Sequence, residues 1–251
     1  MSKKRWFLER AASILILLGI WQAAAMALDQ RILLVTPLVV FERLFCLLFQ
    51  GSFWKTVLYS FVRIEAGLFL GLFLGSILAM LASRFHVLEV LFWPVLVMVK
   101  TIPVASFIII ALIWLRAEKL SVFISFLMVL PVVYFNVLQG MKSTDQKLLE
   151  AAEVFRMPHK RRLLYIYLPA LRPFLLSACM TALGISWKAG IAAEIIGVPD
   201  GSIGEMLYEA KIYLNTGDLF AWTLVIVLIS VLFEKFFLWF LKKVLNRLEQ
   251  I

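Results

Sequence analysis

The chain contains several apolar runs of about 18 residues or more, and this feature limits its possible folds more than any other. A run of that length can cross a bilayer as a helix, because a helix bonds all of its backbone polar groups internally. Hydrophobic residues make up 63% of the 251 residues and charged residues only 16%. Soluble domains average about 25% charged residues. The sequence therefore predicts an integral membrane protein and excludes a soluble domain, a disordered chain and a disulfide scaffold.

The apolar runs predict an all-α membrane fold with about six transmembrane helices. We expect one domain over residues 1–251, with its core at about 57–245. The run 11–28 follows a basic tail, as in a signal peptide, but it is long for a signal, so we expect it to be retained. Thr36-Pro37 starts an amphipathic helix at the membrane interface. The other predicted spans are 57–82, 87–115 (interrupted by Pro94 and Pro103), 120–138, 174–196 and 219–241.

Lysine and arginine are concentrated on one side of these predicted spans. The N-terminal tail, the link at Arg84, the stretch 139–172 and the C-terminal tail hold most of them. Basic residues accumulate on the cytoplasmic side of membrane proteins. We therefore expect a multi-pass protein of the bacterial cytoplasmic membrane, with both termini in the cytoplasm and residues 197–217 outside. The net charge of +9 then reflects loops beside the lipid bilayer, and no nucleic acid partner is expected.

Small residues recur every fourth position in the second predicted span. Gly67, Gly71 and Gly75 are followed at the same spacing by Ala79 and Ser83. This spacing gives one helix face that another backbone can approach closely. The stripe indicates either ordinary helix packing or a surface that moves against a partner.

Charged residues inside the predicted spans are candidates for a solute pathway. Lys100 and Pro103 lie in the broken third span, and Lys188 and Glu194 lie six residues apart in the fifth. Intramembrane charges usually face water or a partner charge. Two interpretations are open: these residues line a pathway that favours anions, or Lys100 reaches the interface and Lys188 pairs with Glu65 or Glu194.

The basic stretch 148–169 carries a spaced pattern between two predicted spans. The pattern reads Glu-Ala-Ala, three residues, one residue that is usually fixed, nine further residues and then Ile-x-Leu-Pro. Its members here are Glu150, Ala151, Ala152, Arg156, Ile166, Leu168 and Pro169. This pattern resembles the EAA loop of ABC importer permeases. Only Arg156 departs from it, because glycine is usual at that position.

The resemblance extends over nearly the whole chain. Ser60-Phe61-Val62-Arg63, Ile102-Pro103 and 192–197 with Ser202-Ile203-Gly204 are similar to segments of permeases for taurine, sulfonates and nitrate. Leu115-Arg116 departs, since those relatives have an aromatic residue and glycine there. The resemblance implies a type I ABC importer (MetI-like) permease fold with a cytoplasmic coupling helix.

The resemblance also implies partners and a division of labour. Two cytoplasmic ATPase subunits would carry the ATP and magnesium, so no cofactor is expected on this chain. An extracytoplasmic binding protein would deliver the solute. A second permease copy would complete the pathway, as a homodimer or as a heterodimer. The solute would be a small anion such as a sulfonate, taurine or nitrate.

Within the coupling loop, we expect a short helix from Leu148 to Phe155 and a second from Pro158 to 167. Pro169 would separate the second from the fifth span. Glu150 would anchor the loop through an ion pair or a cap. Arg156 would either adopt a left-handed turn, which costs about 1–2 kcal/mol, or avoid it.

Two other classes of protein remain as alternatives. A channel or secondary transporter also uses broken helices and buried charge. An intramembrane enzyme would need reactive groups, but the sequence has no HExxH or GxSxG motif, and both histidines fall at cytoplasmic ends.

Overall fold

The structure, a computed structural model, describes residues 3–28, 30 and 32–248. These residues form helices joined by short turns. The helices are α1 (Lys3–Leu28), α2 (Pro37–Leu48), α3 (Gly51–Arg84), α4 (His86–Thr101), α5 (Val104–Ala111), α6 (Ala117–Lys142), α7 (Gln146–Val154), α8 (His159–Arg162), α9 (Leu168–Gly197), α10 (Ile203–Ile212) and α11 (Thr216–Leu248). The predicted all-α fold is confirmed.

Three long helices form the centre of the bundle, with α6 packed between α3 and α9. The glycine stripe of α3 faces α6. A Cβ atom on Gly71 would lie 2.6 Å from Val129 Cγ1, and one on Gly75 would lie 2.9 Å from the Leu130 carbonyl oxygen. A Cβ atom on Gly67 would lie closer still to the Val122 carbonyl oxygen. The glycines therefore allow two helix backbones to approach more closely than any side chain would permit.

Four single helices are long and apolar enough to cross a membrane: α3, α6, α11 and the continuous helix 163–197. α4 and α5 are long and apolar enough only when taken together, and the two helices meet at a bend of 101°. In α1, the stretch Ala12–Leu28 is a shorter apolar helix. Thus four or five apolar spans are present, and the expected count of six stays a prediction.

The third predicted span breaks at one proline, not two. Pro94 lies inside α4 and does not interrupt it. The break comes at Ile102, which is extended (φ −69°, ψ 136°) directly before Pro103. A residue before proline is biased towards this conformation, so α4 ends there.

The expected separation at Pro169 is wrong. The chain is helical from His159 to Gly197, with a π-helical turn at Leu163–Tyr167. In that turn the Leu168 amide bonds to the Leu163 carbonyl oxygen. The π turn directly precedes Pro169, whose ring nitrogen carries no hydrogen for the regular helical bond, and the helix continues through it.

The remaining helices surround the centre. α11 packs against α2, α9 and α10, and α1 contacts α2. Trp21 of α1 also lies against Phe220 of α11, with ring centroids 5.6 Å apart. The apolar face of α2 predicted to lie at the membrane interface is open in this chain, with Leu38 71% and Phe45 63% exposed.

Candidate functional site

The connector between α6 and α9 contains α7, where the sequence predicts a coupling helix. The Asp145 side chain caps α7 by accepting a hydrogen bond from the Lys147 amide at 2.9 Å. Phe155, directly after the helix, is 82% exposed, and Val154 is 79% exposed. Ala152 is buried within the chain, so it is not part of the surface that a partner could contact. The connector therefore presents large apolar side chains at its tip.

The turn after α7 is a Schellman motif with Arg156 at its left-handed position. The Met157 amide donates to the Ala152 carbonyl oxygen at 2.8 Å, and the Arg156 amide donates to that of Glu153 at 2.9 Å. Arg156 has φ 48°, which is the conformation that glycine usually supplies at this position. The two outcomes left open by the sequence are thereby decided: Arg156 adopts the left-handed turn.

The other residues of the EAA pattern occupy different environments. Glu150 is exposed, and within the described residues its side chain makes neither an ion pair nor a hydrogen bond, so the cap comes from Asp145 instead. Ile166 and Leu168 are partly buried in the π turn and the start of α9. Pro169 is exposed beside them. The EAA pattern thus covers the mostly exposed helix α7, the left-handed turn at Arg156 and the start of the long helix α9.

The two charges of α9 lie on different faces, as their six-residue spacing indicates. Lys188 is exposed and lines a groove of about 320 Å³ between α9 and α11, together with Glu234 of α11. Glu194 is fully buried. Its carboxylate accepts a hydrogen bond from Ser60 Oγ at 2.7 Å and one from the Gly204 amide at 3.3 Å. Glu194 therefore does not face open space as a pathway-lining residue would.

The pairing of Lys188 with Glu65 or Glu194, one of the two open interpretations, is absent from the described part of the chain. Glu65 instead accepts a hydrogen bond from the Trp187 indole at 2.9 Å. Lys188 forms no ion pair there. Lys100 is also exposed, and its Nζ lies 5.8 Å from the centroid of the Phe135 ring. Pro103 lies exposed at the bend between α4 and α5.

A bidentate ion pair that the sequence analysis missed joins α2 to α11. Arg43 Nε and Nη2 donate to the two carboxylate oxygens of Asp218, each at 2.7 Å. These hydrogen bonds raise the pKa of the Arg43 guanidinium. Asn215 donates to the same carboxylate. The only sequence signal was a charged residue on each of two helix segments 175 positions apart, which does not predict their pairing.

Comparison with known proteins identifies the class of this chain. The family described as "Binding-protein-dependent transport system inner membrane component" matches residues 71–250. The chain belongs to this family, whose members are transport permeases with the MetI-like fold. The resemblance drawn from the EAA pattern is confirmed.

Relatives with more specific names cover most of the chain. It is 26% identical to a protein named as the aliphatic sulfonates transport permease SsuC of Bacillus subtilis, over 88% of this chain and 80% of the relative. It is 25% identical to the taurine transport system permease TauC of Escherichia coli, over 92% and 88%. It is also 25% identical to the bicarbonate transport system permease CmpB of Synechococcus elongatus, over 79% and 72%. The chain is thus an ABC transporter permease of the nitrate/sulfonate/taurine subfamily and a multi-pass membrane protein.

Proposed function

We propose that this chain lines the pathway of an ATP-driven importer for small anions and docks an ATPase subunit through α7. The observation that carries the proposal is the connector tip, where Val154 and Phe155 are 79% and 82% exposed. Large apolar side chains this open beside a basic loop are typical of a surface that a partner covers. The Schellman turn holds Phe155 in place, so the tip can transmit force as a rigid lever.

The assembly we propose contains two permease copies, two ATPase subunits that bind ATP and magnesium, and an extracytoplasmic binding protein. This chain itself performs no catalysis. The copies are identical in the simplest assembly, and a heterodimer with a related chain is the second possibility. Both termini and α7 lie in the cytoplasm, which is supported by the excess of lysine and arginine in those segments.

Within the pathway, we assign Lys100, Pro103 and Lys188 to the lining. Two facts support Lys188: it is exposed, and it forms no ion pair within the described residues. A lysine in hydrocarbon costs about 2.5–3.5 kcal/mol on insertion scales, which favours a position facing water or an anion. The names of the relatives, which refer to sulfonates, taurine and bicarbonate, support an anionic solute for this chain as well.

Replacing Phe155 with aspartate tests the docking role. A charge at the centre of an apolar contact costs several kcal/mol, so Phe155→Asp should reduce recovery of the ATPase in a pull-down by at least tenfold. Phe49→Asp is the matched control, because Phe49 is 75% exposed but follows α2 on the opposite side in our orientation. Equal recovery with both variants would refute the assigned role of α7.

Orientation is tested by cysteine labelling. Cys46 is exposed and is first replaced by serine. An impermeant thiol reagent on intact cells should then modify Tyr213→Cys and spare Val154→Cys. Both positions are nearly 80% exposed, so accessibility differs only through the membrane side. Labelling at position 154 alone would reverse the proposed topology.

Transport by the purified chain without an ATPase would favour the second candidate, a channel or secondary transporter. Its supporting observation is the 101° bend between α4 and α5, since broken helices are common in such proteins.

A further inference from the structure

Three helices meet at one buried polar contact near the C-terminal end of α9. Ser60 of α3 donates to Glu194 Oε2 at 2.7 Å and accepts a hydrogen bond from the Ile203 amide at 2.9 Å. The Gly204 amide donates to the same carboxylate oxygen at 3.3 Å. Ser60 and Glu194 are both fully buried. One hydroxyl and one carboxylate thus bind the start of α10 to α3 and α9.

The position of Glu194 indicates that its carboxylate stabilises the start of α10 and not the end of its own helix, α9. It lies in the last turn of α9, where a carboxylate is unfavourable beside the negative end of the helix dipole. The same carboxylate faces the first amides of α10, where the dipole is positive. Ser202 already caps α10 through the Glu205 amide at 3.0 Å. Glu194 therefore supplies a further acceptor for the start of α10, and this acceptor comes from a different helix.

Backbone packing reinforces this contact. A Cβ atom on Gly204 would overlap the Cβ and carbonyl carbon of Glu194, so α10 crosses α9 in direct backbone contact. The link between the two helices is short and turns through Val198 (φ 45°) and Gly201 (φ 76°). Hydrogen bonds, close packing and a tight link all fix α10 relative to α9.

We propose that Ser60 and Glu194 form a clamp through which a push on α10 reaches the pathway helix α9. This inference rests on the proposed function and on its orientation, which puts residues 197–217 on the outer side, where the binding protein would dock. The binding protein would press on α10 from outside. Because the clamp ties α10 to α9 and α3, that force would move the bundle instead of bending the loop. Glu194 and Ser60 are then positioning residues that contact no solute.

The clamp is tested first by a distance that does not depend on transport. Spin labels at Lys55→Cys and Lys211→Cys, both exposed, report the position of α10 relative to α3 in a Cys46→Ser background. Glu194→Leu removes both acceptor bonds and should broaden the distance distribution. Glu65→Leu is the matched control, since it also removes a buried carboxylate from the bundle.

A second pair of variants tests the backbone contact in the same way. Gly204→Ala forces α10 away from α9 and should shift the distance, whereas Gly184→Ala has open space around it and should not. Unchanged distributions in Glu194→Leu and Gly204→Ala would overturn the clamp. Should Glu194→Leu not fold, Ser60→Ala replaces it, with the buried Ser125→Ala as its control.

The functional readout is stimulation of the assembled ATPase by the loaded binding protein. We expect Glu194→Leu to lower this stimulation about tenfold or more, because the acceptor for the Ser60 hydroxyl and the Gly204 amide is lost and both donors stay buried. Glu194→Gln should retain it, because its amide oxygen still accepts from Ser60 and Gly204. An equal loss in Glu65→Leu, or the same loss in Glu194→Gln as in Glu194→Leu, would refute the clamp. Lack of stimulation in the wild type would instead refute the proposed function, and the distance measurement would still decide the clamp.

Discussion

Replacing Arg156 with glycine should stabilise the turn that ends α7. A left-handed conformation costs a residue with a side chain about 1–2 kcal/mol, and glycine adopts it without that strain. Glycine also has a more flexible open state, which offsets about 0.5–1 kcal/mol of the gain. The net stabilisation expected for the turn at φ 48° is therefore about 1 kcal/mol.

An exposed connector can open without unfolding of the whole bundle, so hydrogen exchange measures this effect better than global unfolding. The reporters are the Arg156 and Met157 amides, which close the turn on the Glu153 and Ala152 carbonyl oxygens. A difference of about 1 kcal/mol corresponds to about fivefold slower exchange of these amides. Mass spectrometry of peptides that cover residues 151–157 gives the rate.

Arg156→Ala is the matched control, because it removes the same charge and keeps a Cβ atom in the left-handed position. We expect slow exchange in Arg156→Gly and exchange near that of the wild type in Arg156→Ala. Arg156→Val should exchange fastest, since a β-branched side chain fits a left-handed backbone least well. Equal rates in the glycine and alanine variants would show that backbone strain at this turn is not what we infer.

Three further predictions concern the bundle and its outer edge. Gly71→Ala should lower the melting temperature, with an overpacking cost of about 1–3 kcal/mol, because the added Cβ would lie 2.6 Å from Val129 Cγ1. Gly184→Ala is the control and should leave the melting temperature unchanged, because no atom lies near its added Cβ. A double-mutant cycle of Arg43→Ala and Asp218→Ala should give a coupling energy of about 0.5–1 kcal/mol, since the pair is partly exposed, and zero coupling would contradict its role in holding α2. Lys188→Met should reduce anion transport at an unchanged melting temperature, whereas a lower melting temperature with unchanged transport would assign it a structural role.

The parts of the fold that the sequence predicts are those fixed by local signals. Hydropathy predicts the long helices, because a span must bond its own backbone in lipid. The four-residue spacing of Gly67, Gly71 and Gly75 indicates a close helix contact, and the structure places them against α6. Prolines were a weaker guide: Pro94 and Pro103 carry the same local signal, and only the second ends a helix.

Contacts between distant segments lie outside what local signals describe. The spacing of Lys188 and Glu194 indicates opposite faces but does not say which face is buried. That outcome depends on Ser60, 134 positions from Glu194, and on α10 folding back over α9. The Arg43–Asp218 pair is likewise set by the packing of α2 on α11. Tertiary packing, not residue type, decides which of these charges becomes buried or paired.

Strained backbone in the described part of the chain is confined to the ends of three helices. Arg156 follows α7, Val198 follows α9 and Leu214 follows α10, and all three have φ between 45° and 53°. The turn after α10 repeats the Schellman pattern of α7, with the Asn215 amide bonded to the Ala210 carbonyl oxygen at 2.8 Å. Strain of this kind persists only where the surroundings hold it.

The same turn geometry therefore follows α7 on one side of the bundle and α10 on the other. In both turns an exposed side chain occupies a left-handed position that glycine would adopt with less strain. Arg156 is exposed and Leu214 is 66% exposed. Glycine would relax either turn and remove its side chain from the surface at which we propose that a partner docks. A non-glycine residue also has fewer open conformations than glycine, which offsets part of the strain in the closed turn. The strain of about 1–2 kcal/mol per turn is thus accompanied by a side chain that a docked partner can contact, which glycine would not supply.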